Sequence, residues 1–98
     1  MITLSENATT WKWFALPGST LEGVSQQATI SGMRPAECMQ ACVNYKPFNC
    51  SSVAVKHSTS DCILFGSNRT ALGVTVKEDA DFDYFERYFD GKSQIIQF

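Results

Sequence analysis

Residues 35–65 read PAECMQACVNYKPFNCSSVAVKHSTSDCILF and contain all four cysteines of the chain, at positions 38, 42, 50 and 62. An even number of closely spaced cysteines in a chain of 98 residues is typical of a disulfide framework formed in an oxidising compartment. Small domains depend on such cross-links because their hydrophobic cores are thin. This segment therefore predicts a disulfide-braced domain.

The first part of the segment predicts a helix over residues 35–45, because proline suits the first helical position. Cys38 and Cys42 then lie one turn apart on the same helix face. A bond between these two would distort the helix, since their Cβ vectors run parallel. The spacing leaves two connectivities open. The nested one joins Cys38 to Cys62 and Cys42 to Cys50, and the crossed one exchanges these partners.

Extended segments surround this helix. Aromatic and β-branched runs bounded by turn residues predict strands at residues 11–16, 28–33, 48–56, 62–65 and 82–89. Pro17-Gly18 is expected to close the first strand with a turn. Residues 66–81 are expected to form a loop with a short strand at 74–76, and residues 92–98 are left unassigned. The pattern predicts an α+β fold with a hairpin beside one helix.

Length and charge limit the classes of function. The 98 residues allow one domain, and 44% hydrophobic with 18% charged residues is typical of a folded chain. The eight Lys and Arg are scattered and the net charge is -2, so general binding to nucleic acid has no electrostatic driving force. No apolar run is long enough to span a membrane. We expect a fragment of a larger extracellular protein, with Met1 as an added start codon.

Three N-glycosylation sequons support an extracellular location, secreted or as the ectodomain of a membrane protein. They begin at Asn7, Asn49 and Asn68, and N-glycans are added only on the secretory route. Asn68 is the best candidate because it lies in a predicted loop. Asn49 adjoins Cys50, which is expected to hinder modification.

A metal site or an active site is a weaker interpretation of the same residues. Zinc is disfavoured because there is no Cys-x2-Cys pair and His57 is the sole histidine. Calcium is disfavoured because Asp79, Asp81 and Asp83 lack the spacing of an EF-hand loop. No nucleophile has a base suitably placed, and no nucleotide-binding or hydrolase motif is present. We expect no catalytic residue, metal or cofactor.

The aromatic residues are the candidate binding groups. Trp11 and Trp13 share one face of a strand, as do Tyr84 and Tyr88, and an exposed pair would bind sugars or a protein partner. Core packing is the more common role of aromatics in so small a domain. The closing strand is aromatic on both faces, however, so some of its aromatic side chains are expected to remain exposed. They are Phe82, Tyr84, Phe85, Tyr88 and Phe89.

Residues 28–90 resemble a PAN/apple domain. The resemblance rests on AECMQAC at 36–42, FNCSSVAV at 48–55, DCILF at 61–65 and YFERY at 84–88, with spacing Cys-x3-Cys, Cys-x7-Cys and Cys-x11-Cys-x-Leu. No cysteine lies before position 38 or after 62. The closer match is therefore the minimal four-cysteine PAN form, without the additional disulfide of coagulation-type apple domains.

The resemblance implies an antiparallel sheet of about five strands cradling one helix, the nested disulfide pairing, and a role in adhesion to proteins or carbohydrates. Heparin affinity is not implied, since basic clusters are absent. We expect an extracellular recognition module that binds another protein through an exposed part of its sheet. The alternatives are a lectin-like module that binds glycans and a structural spacer that packs against neighbouring domains.

Overall fold

A computed structural model describes residues 11–89 of the chain. Its elements follow the order β1, β2, α1, β3, β4, β5, and they are β1 (Trp11–Glu22), β2 (Gln27–Ile30), α1 (Pro35–Asn44), β3 (Ser52–Lys56), β4 (Asp61–Phe65) and β5 (Thr75–Phe89). The predicted α+β class is therefore confirmed. No helix among the described residues is long and apolar enough to cross a membrane.

The five strands form one antiparallel sheet with the order β1-β5-β3-β4-β2. β3 and β4 make a hairpin in the middle of the chain, and α1 packs against both of them. β1 and β2 are the two edge strands. The structure thus confirms the expected five-stranded sheet with one helix.

The helix α1 begins at Pro35 and carries its two cysteines on the buried face. The Glu37 carboxylate accepts a hydrogen bond from the backbone N–H of Arg34 at 2.9 Å, which satisfies one N-terminal donor. This hydrogen bond and the Arg34 guanidinium lower the pKa of Glu37 below its ordinary value. The helix ends at Asn44, one residue before the predicted limit.

Two disulfides join α1 to strand β4 and to the segment just before strand β3. Cys38 is bonded to Cys62 on β4, and Cys42 is bonded to Cys50 just before β3, which is the nested arrangement. All four cysteines are buried and pack with apolar side chains of the hairpin, which are Val53, Val55 and Leu64. The disulfides are therefore part of the core on the helix side of the sheet, called face A below.

The opposite side of the sheet, face B, has a second core. Its buried members are Leu21, Val24, Ala54, Phe65 and Tyr84. Leu21 and Val24 come from the end of β1 and the turn after it, and Val74 from the 66–74 loop packs against them. Short segments of chain thus cover face B, and the one helix of residues 11–89 lies on face A.

The bounds of several strands differ from the sequence prediction: β2 spans 27–30 instead of 28–33, β3 spans 52–56 instead of 48–56, and β1 and β5 differ most. The first strand does not stop at Pro17, because β1 continues to Glu22 through an irregularity between Pro17 and Ser19. The side chain of Asp83 accepts the Gly18 backbone N–H at 3.0 Å and holds this bulge against β5. β5 begins at Thr75, so the predicted short strand at 74–76 overlaps the start of β5, and the loop predicted for residues 77–81 is wrong.

Candidate binding surface

The closing strand β5 places its aromatic residues in different surroundings. The suggestion that Tyr84 contributes to an exposed pair is wrong, because its side chain is 0% exposed. Its hydroxyl donates to the Glu86 carboxylate at 2.8 Å and accepts the Arg69 backbone N–H at 3.1 Å. Desolvation, the main cause, raises the pKa of Tyr84. Tyr84 is a core residue whose polar end is satisfied inside the protein.

Both tryptophans belong to β1. Trp13 is half-buried and packs against the core of face A. The side chain of Trp11 lies outside the part of the chain that the structure describes. Trp13 is therefore available to a ligand only in part, and the role of both tryptophans in binding stays a prediction.

Tyr88 and Phe14 are the exposed aromatic residues among the side chains that the structure describes. Tyr88 is 49% exposed and Phe14 is 38% exposed. Tyr88 lies opposite Lys12, and Phe14 lies opposite Glu86, so the two rings are diagonal neighbours on face B. Sequence reasoning identified Tyr88 but missed Phe14. The signal for Phe14 was its position next to Trp13 on a strand, because neighbouring residues of a strand face opposite sides, and Phe14 therefore shares a face with Tyr88 once β1 pairs with β5.

Arg69 reaches this pair from the 66–74 loop. Its guanidinium carbon lies 4.7 Å from the centre of the Phe14 ring, within the range of a cation–π contact. Its Nε lies 3.3 Å from a carboxylate oxygen of Glu86, which is almost fully buried. We call the group formed by Lys12, Phe14, Arg69 and Tyr88 the aromatic-cation patch.

Glu86 explains why Arg69 has a defined position. A buried carboxylate needs an opposite charge and hydrogen-bond donors to offset its lost hydration. Arg69 supplies the charge and the Tyr84 hydroxyl supplies a donor. The neighbouring Ser52 hydroxyl donates to the carbonyl of Ser67 at 2.7 Å and ties down the same loop. The patch is therefore supported by a polar network beneath it.

A separate group of polar side chains surrounds the β3–β4 turn. His57 is half-exposed, and its Nε2 lies 3.2 Å from the Asp83 carboxylate. The Asp81 carboxylate accepts the Ser58 backbone N–H at 2.9 Å and the Ser58 hydroxyl at 2.6 Å. Among residues 11–89 no group of three or more His, Cys, Asp or Glu could hold a metal ion. These contacts fix the turn against β5.

The Ser58 hydrogen bonds lower the pKa of Asp81, mainly through the hydroxyl. A carboxyl whose folded pKa is lowered adds stability above its unfolded pKa of about 4, and this stability is lost as the pH falls through the folded pKa. We expect Ser58→Ala to raise the pKa of Asp81 toward its ordinary value and to make unfolding less pH-dependent below about pH 4. NMR titration of the carboxyl groups and urea unfolding from pH 6 to 2 would measure both effects.

Thr59→Ala is the control for this experiment. The Thr59 hydroxyl donates to the Asp61 carboxylate, so its removal leaves the hydrogen bonds of Asp81 unchanged. An unaltered Asp81 titration in Ser58→Ala would show that the hydroxyl does not hold the carboxylate in solution.

The predicted glycosylation sites differ in their surroundings. The Asn68 side-chain oxygen accepts the hydroxyl of Thr70 at 2.6 Å and its backbone N–H at 3.0 Å. Asn49 is exposed and precedes the buried Cys50, and Asn7 lies outside the described residues. Glycan attachment at each of these sites stays a prediction.

The fold and its covalent links define a class, the small disulfide-braced α+β modules. Within that class, the model of the PAN domain family matches residues 12–89. The chain therefore belongs to the PAN domain family. PAN domains are typically non-catalytic modules that interact with proteins or carbohydrates, and they are typical of extracellular proteins. A comparison with curated proteins finds no significant match to this chain.

Proposed function

We propose that the chain is an extracellular recognition module that binds a partner protein through the aromatic-cation patch. The observation that carries the proposal is the exposure of Phe14 and Tyr88 side by side on face B, next to two cations. Tyrosine and arginine are the residue types that most often dominate the energy of protein interfaces. A rigid sheet presents them with little loss of conformational entropy on binding.

The proposed compartment follows from the covalent chemistry. Two disulfides within residues 38–62 suit an oxidising environment, because reduced thiols are maintained in the cytosol. The three sequons are consistent with passage through the secretory route. We propose that the module is part of a longer secreted or membrane-anchored protein and that it has no catalytic activity of its own.

A carbohydrate ligand is the second candidate, and the same patch favours it in one form. Aromatic rings stack on the apolar faces of sugar rings, and Lys12 and Arg69 would pair with a sugar carboxylate or sulfate. Arg69 is already paired with Glu86, so Lys12 is the cation available to such a ligand. An acidic glycan therefore fits the patch better than a neutral one.

Substitution of Tyr88 tests both candidates. We expect Tyr88→Ala to weaken binding to the partner by at least about tenfold, since exposed aromatic anchors at interfaces contribute 2 kcal/mol or more as an order of magnitude. The wild-type chain is first screened on an array of secreted and cell-surface ectodomains and on a glycan array. The affinity of each variant for the hits is then measured by calorimetry.

Val43→Ala is the matched control, because Val43 is an exposed apolar residue on the helix, away from face B. Binding of an ectodomain that is lost in Tyr88→Ala and kept in Val43→Ala supports protein recognition. Loss of an acidic glycan in the same variant supports the second candidate. Equal binding by Tyr88→Ala and the wild type would place the binding site elsewhere. If the wild-type chain binds to neither array, the spacer role becomes the better interpretation.

A further inference from the structure

The outer edge of β1 is open among residues 11–89, since no described strand pairs with it. An edge strand presents alternating backbone N–H and C=O groups that can pair with a further strand. The other edge strand, β2, spans four residues, whereas β1 spans twelve. β1 therefore offers the longer template for strand addition.

Residues 12–16 of β1 lack most of the features that block such pairing. Charged side chains, prolines and bulges normally protect an edge. Lys12 is the one charged residue among residues 12–16, and Pro17 and the bulge lie beyond the end of this run. Phe14 and Ala15 are exposed, while Leu16 is half-buried. The run is an apolar template that ends at Pro17, which has no N–H to donate.

The charges around this run favour an acidic partner over a second copy. Lys12 is exposed on the edge strand itself, and Arg69 lies over Phe14. The carboxylate opposite Phe14 belongs to Glu86, which is buried and already bonded to Arg69 and Tyr84. Pairing of two β1 edges would bring two copies of Lys12 to one interface, where like charges oppose association.

We propose that residues 12–16 of β1 accept an extended acidic segment of a partner protein as a sixth strand of the sheet. Backbone hydrogen bonds would supply affinity, and a carboxylate facing Lys12 would supply specificity. The inference rests on the proposed recognition function, and it adds to it the mode of contact and the chemistry of the partner.

Three blocked hexapeptides test the inference on the full-length chain. The first alternates valine with glutamate, the second alternates valine with lysine, and the third is the acidic peptide methylated on every backbone nitrogen. We expect the acidic peptide to bind and to slow amide hydrogen exchange in residues 12–16. Methylation should weaken binding at least about tenfold, because each lost backbone hydrogen bond contributes about 1 kcal/mol. The lysine peptide should bind at least about fivefold more weakly than the acidic one.

Charge reversal at the edge gives the matched pair of variants. Lys12→Glu should weaken the acidic peptide about fivefold or more and improve the lysine peptide. Lys46→Glu makes the same change of net charge just after the helix and should leave both affinities unaltered.

Several results would overturn the inference. They include no acidic-peptide binding at about 1 mM, which is near the weak limit of specific recognition, and protection in the free protein of those amides of residues 12–16 whose N–H groups point away from β5. Such protection would identify a second copy as the occupant if it grows with protein concentration, and another part of this chain if it does not. Binding that is lost in Tyr88→Ala but insensitive to backbone methylation would leave the proposed function standing without strand addition.

Discussion

Replacing Cys38 and Cys62 together by alanine is expected to lower the free energy of unfolding by about 3.5 kcal/mol. This disulfide closes a loop with a sequence separation of 24, and its loss frees the unfolded chain. Both cysteines are also fully buried between α1 and β4, so the change removes packing from the core of face A. Urea unfolding at 25 °C, followed by circular dichroism, would measure the difference.

The second disulfide supplies an internal comparison. Replacing Cys42 and Cys50 by alanine opens a loop with a sequence separation of 8, for which the chain-entropy model gives about 2.5 kcal/mol. The longer loop should therefore cost more stability than the shorter one. A larger loss from the Cys42–Cys50 pair would show that strain or packing, rather than loop closure, governs the contribution of these bonds.

The Arg69→Ala variant should be destabilised by about 2 kcal/mol, a large effect for a single loop residue. Its removal leaves the Glu86 carboxylate, which is 6% exposed, without a cation. The value is below the 3–5 kcal/mol typical of fully buried pairs, because the Arg69 side chain is 36% exposed and water screens the pair in part. Chemical unfolding of the variant and the wild type would measure it.

A double-mutant cycle with Tyr84→Phe would show whether the network acts as a unit. The Tyr84 hydroxyl contacts both Glu86 and the Arg69 backbone, so the two substitutions should be non-additive. Arg34→Ala is the control, because Arg34 forms a pair with Glu37 at 3.5 Å on the exposed surface of the helix. Its effect should be too small to resolve. Equal effects from Arg69→Ala and Arg34→Ala would contradict a structural role for the Glu86 pair.

The network formed by Glu86, Arg69 and Tyr84 also bears on the proposed binding surface. Arg69 pairs with Glu86 and also contacts the Phe14 ring. A substitution of Glu86 should therefore make Arg69 less ordered in the aromatic-cation patch as well as destabilise the core. Effects on partner binding should therefore be read from Tyr88, which lies outside the Glu86–Arg69 contacts. This separation lets stability and recognition be measured with different variants.

Local sequence signals were sufficient for the middle of the fold. Each of these signals depends on residues that are close together in sequence. They are the proline at the start of α1, the helical spacing of Cys38 and Cys42, and the polar turn between two apolar runs. The helix and the β3–β4 hairpin were predicted to within a few residues for that reason. The resemblance to PAN domains added the single antiparallel sheet and the nested disulfide pairing, which spacing alone does not provide.

The lengths of the outer strands depended on partners far away in sequence. Pro17-Gly18 is a turn signal locally, yet β1 continues through it because Asp83, 65 residues away from Gly18, accepts the Gly18 N–H. Likewise, residues 77–81 look polar and loop-like but belong to β5, where residues 75–78 pair with residues 19–22 of β1. Tertiary hydrogen bonds here outweigh local propensity.

By itself the sequence determined the class of the protein, because the cysteine spacing and the helix and strand patterns depend on local chain geometry. The tertiary structure decided which aromatic residues face water. Tyr84 and Tyr88 share one face of β5, but the 66–74 loop bonds to the first, while the second lies near the strand's end with 49% of its surface exposed. Exposure depends on what covers a face, and here the cover comes from segments whose sequences carry no periodic signal.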